Sequence, residues 1–496
     1  MRGAHAALKP GSAVAVRRAA GLAAVMLLAS CEVGPAYRSP TIALPHTYGE
    51  LPASSDSAPL SVPSASRADL ERWWLGFHDA ELERLIERCL HANLELAAAA
   101  SRIRQARAEV IAAGAPLWPS VSALGSAVRL DSNSNPLASV APPSGSSGIA
   151  ATLYSLGFDA SWEADLFGGT RRGVEAARAG AESARWQMRD LEVSLTAEVA
   201  NDYLALRATQ ARVAILSTAV RRAVELLALA QARFHAGLVT ELDVNQERAQ
   251  LAATRAEIPT LEADERTRMH ALAVLLAEPP LALVRELGPP ATIPAPPPSL
   301  PIGLPSDLLR RRPDVRAAER RLAAATANVG VAVAAQYPRF DLLGLAATAG
   351  GSGGGLFSAQ SLAGIALATV TWPVFQGGKR EADVRASKEQ RLQAYLAYRQ
   401  TVLAALGEVE DALVGYEAEQ RRLLALRRAV AAARSSLQIA RAQYRAGTVT
   451  FIDVLEANQT YLESEDQVQQ SAQALMRDLV ALYKALGGGW ADTRRP

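Results

Sequence analysis

The segment Ala232-Arg-Phe-His-Ala-Gly-Leu-Val-Thr-Glu-Leu-Asp-Val244 returns without a gap as Ala442-Gln-Tyr-Arg-Ala-Gly-Thr-Val-Thr-Phe-Ile-Asp-Val454. Upstream, Trp162-Glu-Ala-Asp-Leu-Phe-Gly-Gly169 answers Trp372-Pro-Val-Phe-Gln-Gly-Gly378 with a short slip, and Leu117-Trp-Pro119 answers Gln336-Tyr-Pro338. Ordered landmarks of this kind mark one ancestral unit of roughly 200 residues written twice. Any fold proposed for one copy must therefore serve the other.

Each copy follows the same plan. A helix comes first, over about residues 79–114 and 313–335, and Pro119 and Pro338 then mark entry into extended structure. Two strand-like runs follow in each copy, at 120–130 with 152–163 and at 340–347 with 362–372. In the second run, Tyr154, Leu156, Phe158, Ala160 and Trp162 form an apolar face, while Leu153, Ser155, Gly157, Asp159 and Ser161 form a smaller, more polar one. The intervening stretches, 131–148 and 350–360, are rich in Ser, Asn, Pro and Gly and read as exposed hairpin loops.

A glycine pair, Gly168-Gly169 or Gly377-Gly378, then opens a tract without proline, 171–236 or 379–446. As straight helix each tract would reach on the order of 100 Å. Helices this long are stable only when packed lengthwise on partners, as in a coiled coil. Gly237 and Gly447 suit the left-handed position that ends a helix, so each tract turns there and returns as a second helix, over 243–277 and 453–486. Between the copies, the proline-dense stretch 279–305 cannot continue a helix and reads as a packed or semi-rigid linker.

The amino terminus is an address. Arg2, Lys9, Arg17 and Arg18 precede an apolar stretch, 19–29, too short to anchor in a bilayer, which takes about 20 apolar residues. The stretch ends in Leu28-Ala-Ser-Cys31, which resembles a bacterial lipoprotein box. Cys31 would carry a thioether-linked diacylglycerol and become the acylated terminus, anchoring the chain without a spanning helix. Glu32 stands where an aspartate would signal inner-membrane retention, so the outer membrane is expected. The resulting organisation is a signal peptide (1–30), a lipidated extended segment (31–78), a first repeat (79–278), the linker (279–305), a second repeat (306–487) and a tail (488–496). The other cysteine, Cys89, sits in a helical pattern and reads as a buried free thiol.

Composition excludes several functions. With 52 Lys+Arg against 50 Asp+Glu there is no basic footprint for nucleic acid. Two cysteines and six scattered histidines offer no metal-ligand spacing, and no phosphate-cradling or nucleophile-elbow motif occurs, so no enzyme and no cofactor is expected beyond the lipid on Cys31. Four strands are too few to close a membrane barrel, which starts at about eight, and open edges in lipid are costly. Strands pooled by threefold symmetry would make twelve, with the helices pooled into a hollow bundle: a duct. The fold class is α+β, mainly α, internally duplicated, with two long coiled-coil hairpins and four barrel strands per chain.

The chain resembles an outer-membrane factor of the TolC superfamily, in the lipoprotein branch typified by OprM and NodT. The residues that carry the resemblance are Cys31-Glu-Val-Gly-Pro-Ala-Tyr-Arg-Ser-Pro40, Trp73-Trp-Leu-Gly-Phe-His-Asp79, Asn93-Leu94 with Arg102-Ile-Arg-Gln-Ala-Arg-Ala108, Trp162 to Gly168, Leu304-Pro-Ser-Asp-Leu-Leu-Arg-Arg-Arg-Pro-Asp314 and Phe375-Gln-Gly-Gly378. The resemblance implies a homotrimer with a twelve-stranded outer-membrane barrel and a periplasmic helical tunnel. It also implies docking on a periplasmic adaptor and an inner-membrane pump, often of the resistance-nodulation-division type, and export of drugs or other solutes. A periplasmic adaptor lipoprotein is the rival reading, but it would show one hairpin flanked by lipoyl-like segments rather than two related by duplication.

The hairpin turns are the expected docking and closure points. The resemblance places pore-gate acids at Asp453 and Glu456, three apart and so on one helix face. Trimeric rings of like charge would attract cations and disfavour full ionisation; alternatively, Asp453 and its counterpart Asp243 cap the returning helices. The resemblance also implies a closed-state latch through Tyr444 and Asp243. A basic residue that joins this network in some members is replaced by Val449, leaving fewer charged contacts. Gly237, Leu238, Val239, Thr240, Gly447, Thr448, Val449 and Thr450 are the expected adaptor-docking residues.

Overall fold

The proline-free tracts form two uninterrupted helices of 67 and 68 residues. The computed structural model describes residues 32–50, 62–64, 70–131, 150–351 and 357–491. The signal peptide, Cys31, most of the 131–148 loop, the centre of the 350–360 loop and the last residues of the tail lie outside them. The elements in chain order are β1 (Val62–Ser64), α1 (Ala80–Ala92), α2 (Leu94–Gly114), β2 (Ser120–Asp131), β3 (Ala150–Glu163), α3 (Gly169–His235) and α4 (Glu241–Leu275). After the first repeat come α5 (Val284–Leu287), β4 (Ser299–Pro301), α6 (Pro305–Arg311), α7 (Pro313–Ala334), β5 (Arg339–Gly350), β6 (Leu362–Thr371), α8 (Lys379–Ala446) and α9 (Phe451–Ala485).

The first helix of the first repeat is broken where the sequence pattern reads through. At Asn93 the backbone turns extended (φ −59°, ψ 130°). Its side chain holds both sides of the break: Oδ1 accepts from Glu95 N and Leu96 N at 2.9 and 3.2 Å, and Nδ2 donates to Leu275 O at 2.9 Å. An asparagine that satisfies its own chain in this way competes with the helix.

Two compact units draw on both repeats. The first combines Met1–Pro40, Arg104–Glu182 and Glu319–Leu396, and it holds the main sheet. That sheet is antiparallel in the order β2-β3-β5-β6. The second strand of the first repeat thus pairs with the first strand of the second, from Tyr154 opposite Gly350 to Glu163 opposite Asp341. Strand β2 and strand β6 are the edges.

The second unit, Thr41–Ile103, Ser183–Ala318 and Ala397–Pro496, holds the large core. Trp73 stacks on Tyr483 at 4.9 Å and meets Trp74 and Phe77 edge-on. Leu82, Leu85, Ile86, Leu272 and Leu479 are fully buried around them, each worth about 1.5–3 kcal/mol of burial. Cys89 is buried here as a free thiol, its Sγ 3.5 Å from Leu275 O, and burial pushes its pKa up to about 12.

The linker is held at intervals by buried leucines and carries more structure than its prolines suggest. Leu283, Leu287 and Leu300 are buried, α5 is a single turn, and β4 pairs in parallel with β1. Buried Arg207 donates from Nη1 to Leu287 O, Pro289 O and Gln210 Oε1, with its guanidinium 4.9 Å over the Tyr203 ring. Replacing Arg207 with Met keeps the stem but removes the donor to Pro289 O and Gln210 Oε1, while Leu287 O keeps the Gln210 amide at 2.8 Å. It should cost about 2 kcal/mol, read as a lower urea midpoint with an unchanged slope.

Candidate functional site

In the first unit, register assigns the two faces of the sheet. Tyr154, Leu156, Phe158 and Ala160 share a face with Ala127, Gly125, Ala123 and Val121 on β2 and with Gly350, Thr348, Ala346 and Gly344 on β5. The opposite face carries Ser120 bonded to Ser161 and Ser126 bonded to Ser155, each at 2.7 Å, together with Asp159, Glu163 and Asp341. The polar–apolar contrast therefore belongs to the first hairpin and the start of β5. The second hairpin is apolar on both faces, with Leu345 and Leu343 opposite Ile365 and Leu367 on the polar side of the sheet. Leu156, Phe158, Leu342, Ile365 and Val370 are all exposed in the protomer.

Aromatic side chains gather where strands meet helices. The Trp162 indole donates to Leu117 O at 3.1 Å, and the Trp372 indole donates to Gln336 O at 3.2 Å, so duplication has preserved one bond twice. Trp118, Tyr337, Trp372 and Phe375 are exposed at this level. Rings with an apolar body and a polar handle suit a membrane–water boundary.

The N-terminal segment is strapped to the same unit. Val33 N donates to Phe167 O, and Glu32 faces Arg171 and Arg172 at 3.9 and 3.8 Å. Tyr37 donates its hydroxyl to Glu319 at 2.8 Å beneath the Arg320 guanidinium. Gly34 lies so close to Gly330 that an added Cβ would stand 2.5 Å from its Cα. The residue next to Cys31 is thereby held beside the turn that follows β3.

In the second unit, both hairpin turns use the same two devices. Gly237 and Gly447 adopt φ +70° and +76°, and paired bonds close each helix end: Gly237 N to Phe234 O with Leu238 N to Arg233 O, and Gly447 N to Tyr444 O with Thr448 N to Gln443 O. These are Schellman closures, which only a residue at ease in the left-handed region completes without strain. Each returning helix then opens with a capping box. Asp243 Oδ2 accepts from Thr240 N and Oγ1 at 2.9 and 3.1 Å; Asp453 Oδ2 accepts from Thr450 N and Oγ1 at 2.7 and 2.6 Å. The Thr450 bonds hold the exposed Asp453 carboxyl below its usual range.

The expected site residues fall into three groups. Asp453 and Glu456 are exposed, as are Gly237, Leu238, Thr240, Gly447, Thr448 and Thr450; Val239 and Val449 are half-buried. Tyr444 and Asp243 are not brought together within the protomer. Asp243 is engaged in its cap, and the Tyr444 ring is buried against Phe451 and Val454 with its hydroxyl unpartnered. Arg233, absent from the sequence-level candidates, occupies the junction instead: Nη1 donates to Tyr444 O at 3.0 Å, Nη2 to Arg445 O at 3.2 Å, and the guanidinium lies 4.3 Å over the Tyr444 ring. A cation on the last carbonyls of α8 suits the negative end of that helix. The signal was the divergence of the repeats, since Arg233 aligns with Gln443 in the second copy.

Among the described residues no helix is long and apolar enough to cross a membrane, and no cluster of metal-ligating side chains occurs. The sequence profile described as outer membrane efflux protein matches residues 85–278 and 304–488. The pyoverdine export outer membrane protein OpmQ of Pseudomonas putida is 33% identical over 90% of this chain and 94% of its own length. The toluene efflux pump outer membrane protein TtgC, from another strain of Pseudomonas putida, is 30% identical over 94% of each. A solved structure of the outer-membrane channel OprN superposes with a TM-score of 0.85 at 37% identity, covering 93% of this chain and 100% of that one.

Two outcomes follow from the turn geometry. Arg233→Ala should lower amide-exchange protection at Gly447 and Thr448 about tenfold, the loss of roughly one charge-assisted bond, and Arg233→Lys should recover only part of it. Because the Asp453 carboxyl is depressed in the folded turn, its cap is present above the ordinary carboxylate range and lost as pH falls through the depressed value. Asp453→Ala should therefore fray the first turn of α9 at neutral pH, where the parent protein frays only in acid.

Proposed function

Because the chain belongs to the outer membrane efflux protein family, we propose that it works as the outer-membrane exit duct of an efflux system, a passive conduit with no catalytic step and no cofactor. The observation that carries this reading is the sheet: four strands, exposed apolar side chains, and two unpaired edges. Four antiparallel strands leave edges that run in opposite directions, so β6 of one copy can continue antiparallel into β2 of the next. Three copies make twelve strands, a closed barrel within the range of outer-membrane proteins.

The strapped N-terminal segment supports lipidation at Cys31, since it holds Glu32 at the strand–helix boundary where an acyl chain could enter lipid. Each copy would contribute its repeats, 79–278 and 306–487, to the barrel and to a periplasmic helical tunnel. The exposed turn residues Gly237 to Thr240 and Gly447 to Thr450 would receive a periplasmic adaptor, itself joined to an inner-membrane pump of the resistance-nodulation-division type. Tyr444 and Asp243 would meet only between hairpins of the assembled, closed tip. The relatives are named for cargoes as different as pyoverdine and toluene, which fits a duct whose selectivity lies in the pump.

Asp453 and Glu456 would form carboxylate rings in the closed tip. Asp453 caps α9 through Thr450, the alternative role expected for it, and these bonds leave the carboxylate exposed and ionised, so the ring would have to be served by a group that also caps the helix. The purified, acylated protein should run as a trimer in mild detergent and conduct ions across a planar bilayer. Divalent cations added from the periplasmic side should block it, and Asp453→Asn with Glu456→Gln should relieve the block. A monomer that never conducts would remove the duct reading, whereas undiminished block in the double variant would move the gate elsewhere.

A further inference from the structure

One carboxylate in the hairpin region is in the wrong solvent. Glu247, two turns into α4, is 1% exposed, and its Oε2 has no hydrogen-bond partner. Its counterpart in the second repeat is Ala457, so the backbone plan does not require a carboxylate at this position. The positive group facing it is Arg441 of α8, which attracts it without forming an ion pair. Arg441 is committed elsewhere. It donates to Asn458 Oδ1 of α9 at 3.3 Å, its Nε is buried without a partner, and it is crowded by Arg222 of α3 and Arg445 of its own helix, with Glu225 of α3 the opposing acid. Four helices of the two hairpins thus meet around a buried acid whose partner does not neutralise it.

An ionised carboxylate so placed is far costlier than a neutral one, because it lacks both water and a donor at Oε2. Parting the hairpins would hydrate it. We propose that Glu247 is a proton-responsive lock: protonated, it lets the two hairpins of a protomer pack against each other, and ionised, it drives them to admit water and part. This rests on the reading of the hairpins as the moving parts of a gate.

The direction follows from linkage. Burial, offset in part by Arg441, raises the Glu247 carboxyl from its ordinary 4.5 to about 7. A raised value means the packed arrangement is favoured fully below the ordinary value and loses that advantage as pH rises to the raised one. Across that window the packed-to-parted ratio should fall about tenfold per pH unit and then level off. Glu225, unlike Glu247, is exposed.

The test uses the full-length protein. In planar bilayers with the periplasmic side taken from pH 7.5 to 5, wild-type open probability should fall steeply, and Glu247→Gln should stay at the acid-side level at every pH. Arg441→Gln, which removes the attraction, should move the transition to higher pH. In parallel, amide-exchange protection around residues 244–251 and 437–444, normalised for intrinsic exchange, should rise on acidification in wild type and be flat and high in Glu247→Gln. The exchange measurement needs no channel activity: pH-linked protection without conductance would defeat the duct reading and leave the lock standing. An unchanged pH response in Glu247→Gln, by either measurement, would overturn the lock.

Discussion

A four-stranded sheet with open edges leaves two rows of backbone N–H and C=O groups unpaired, and in hydrocarbon each unsatisfied group costs several kcal/mol. This constraint organises the molecule. The strands carry exposed Leu, Ile, Val and Phe that no other described part of the chain covers, so an apolar surrounding is the natural destination for one face. The pairing of β3 with β5 matters because it joins what would be two separate hairpins into one sheet. Each chain then presents two edges rather than four.

Duplication has conserved backbone devices and let side-chain chemistry diverge. Both repeats keep an indole bonded to the carbonyl two residues before the strand-leading proline, both end a long helix on a left-handed glycine, and both open the returning helix with a Thr–Asp capping box. These are solutions to backbone hydrogen-bonding problems that each copy meets independently. Two of the positions at which the repeats differ lie where the hairpins face each other. Arg233 aligns with Gln443, and Glu247 with Ala457. Once two copies pack together, their contacting surfaces no longer need to be alike, and charge on one can be answered by carbonyls or rings on the other.

Glycines, prolines and periodicity made most of the fold legible. The strands and long helices lie within a few residues of where the pattern places them, because Pro119, Pro338, Gly237 and Gly447 act locally and need no tertiary partner. The break at Asn93 was not legible, since it depends on a bond to Leu275 O, far along the chain. The geometry of the turns was legible because their glycines and Thr–Asp caps act at short range, whereas the Arg233 contacts with the Tyr444 and Arg445 carbonyls were not. Tyr444 pointed to a hydroxyl contact, yet within the protomer its role is a buried ring under Arg233.

By itself the sequence determined the duplicated plan, the four strands of the main sheet, the long helices and the turns that reverse the chain. All of these follow from local backbone preference and repetition. Only the tertiary structure decided which strands of the two repeats pair, which face of each strand is shared, and that Arg233 and Glu247 meet the opposite hairpin. Those outcomes rest on contacts between residues some 200 positions apart along the chain, where no local propensity encodes the partner. There, burial and the need to satisfy each polar group choose the arrangement.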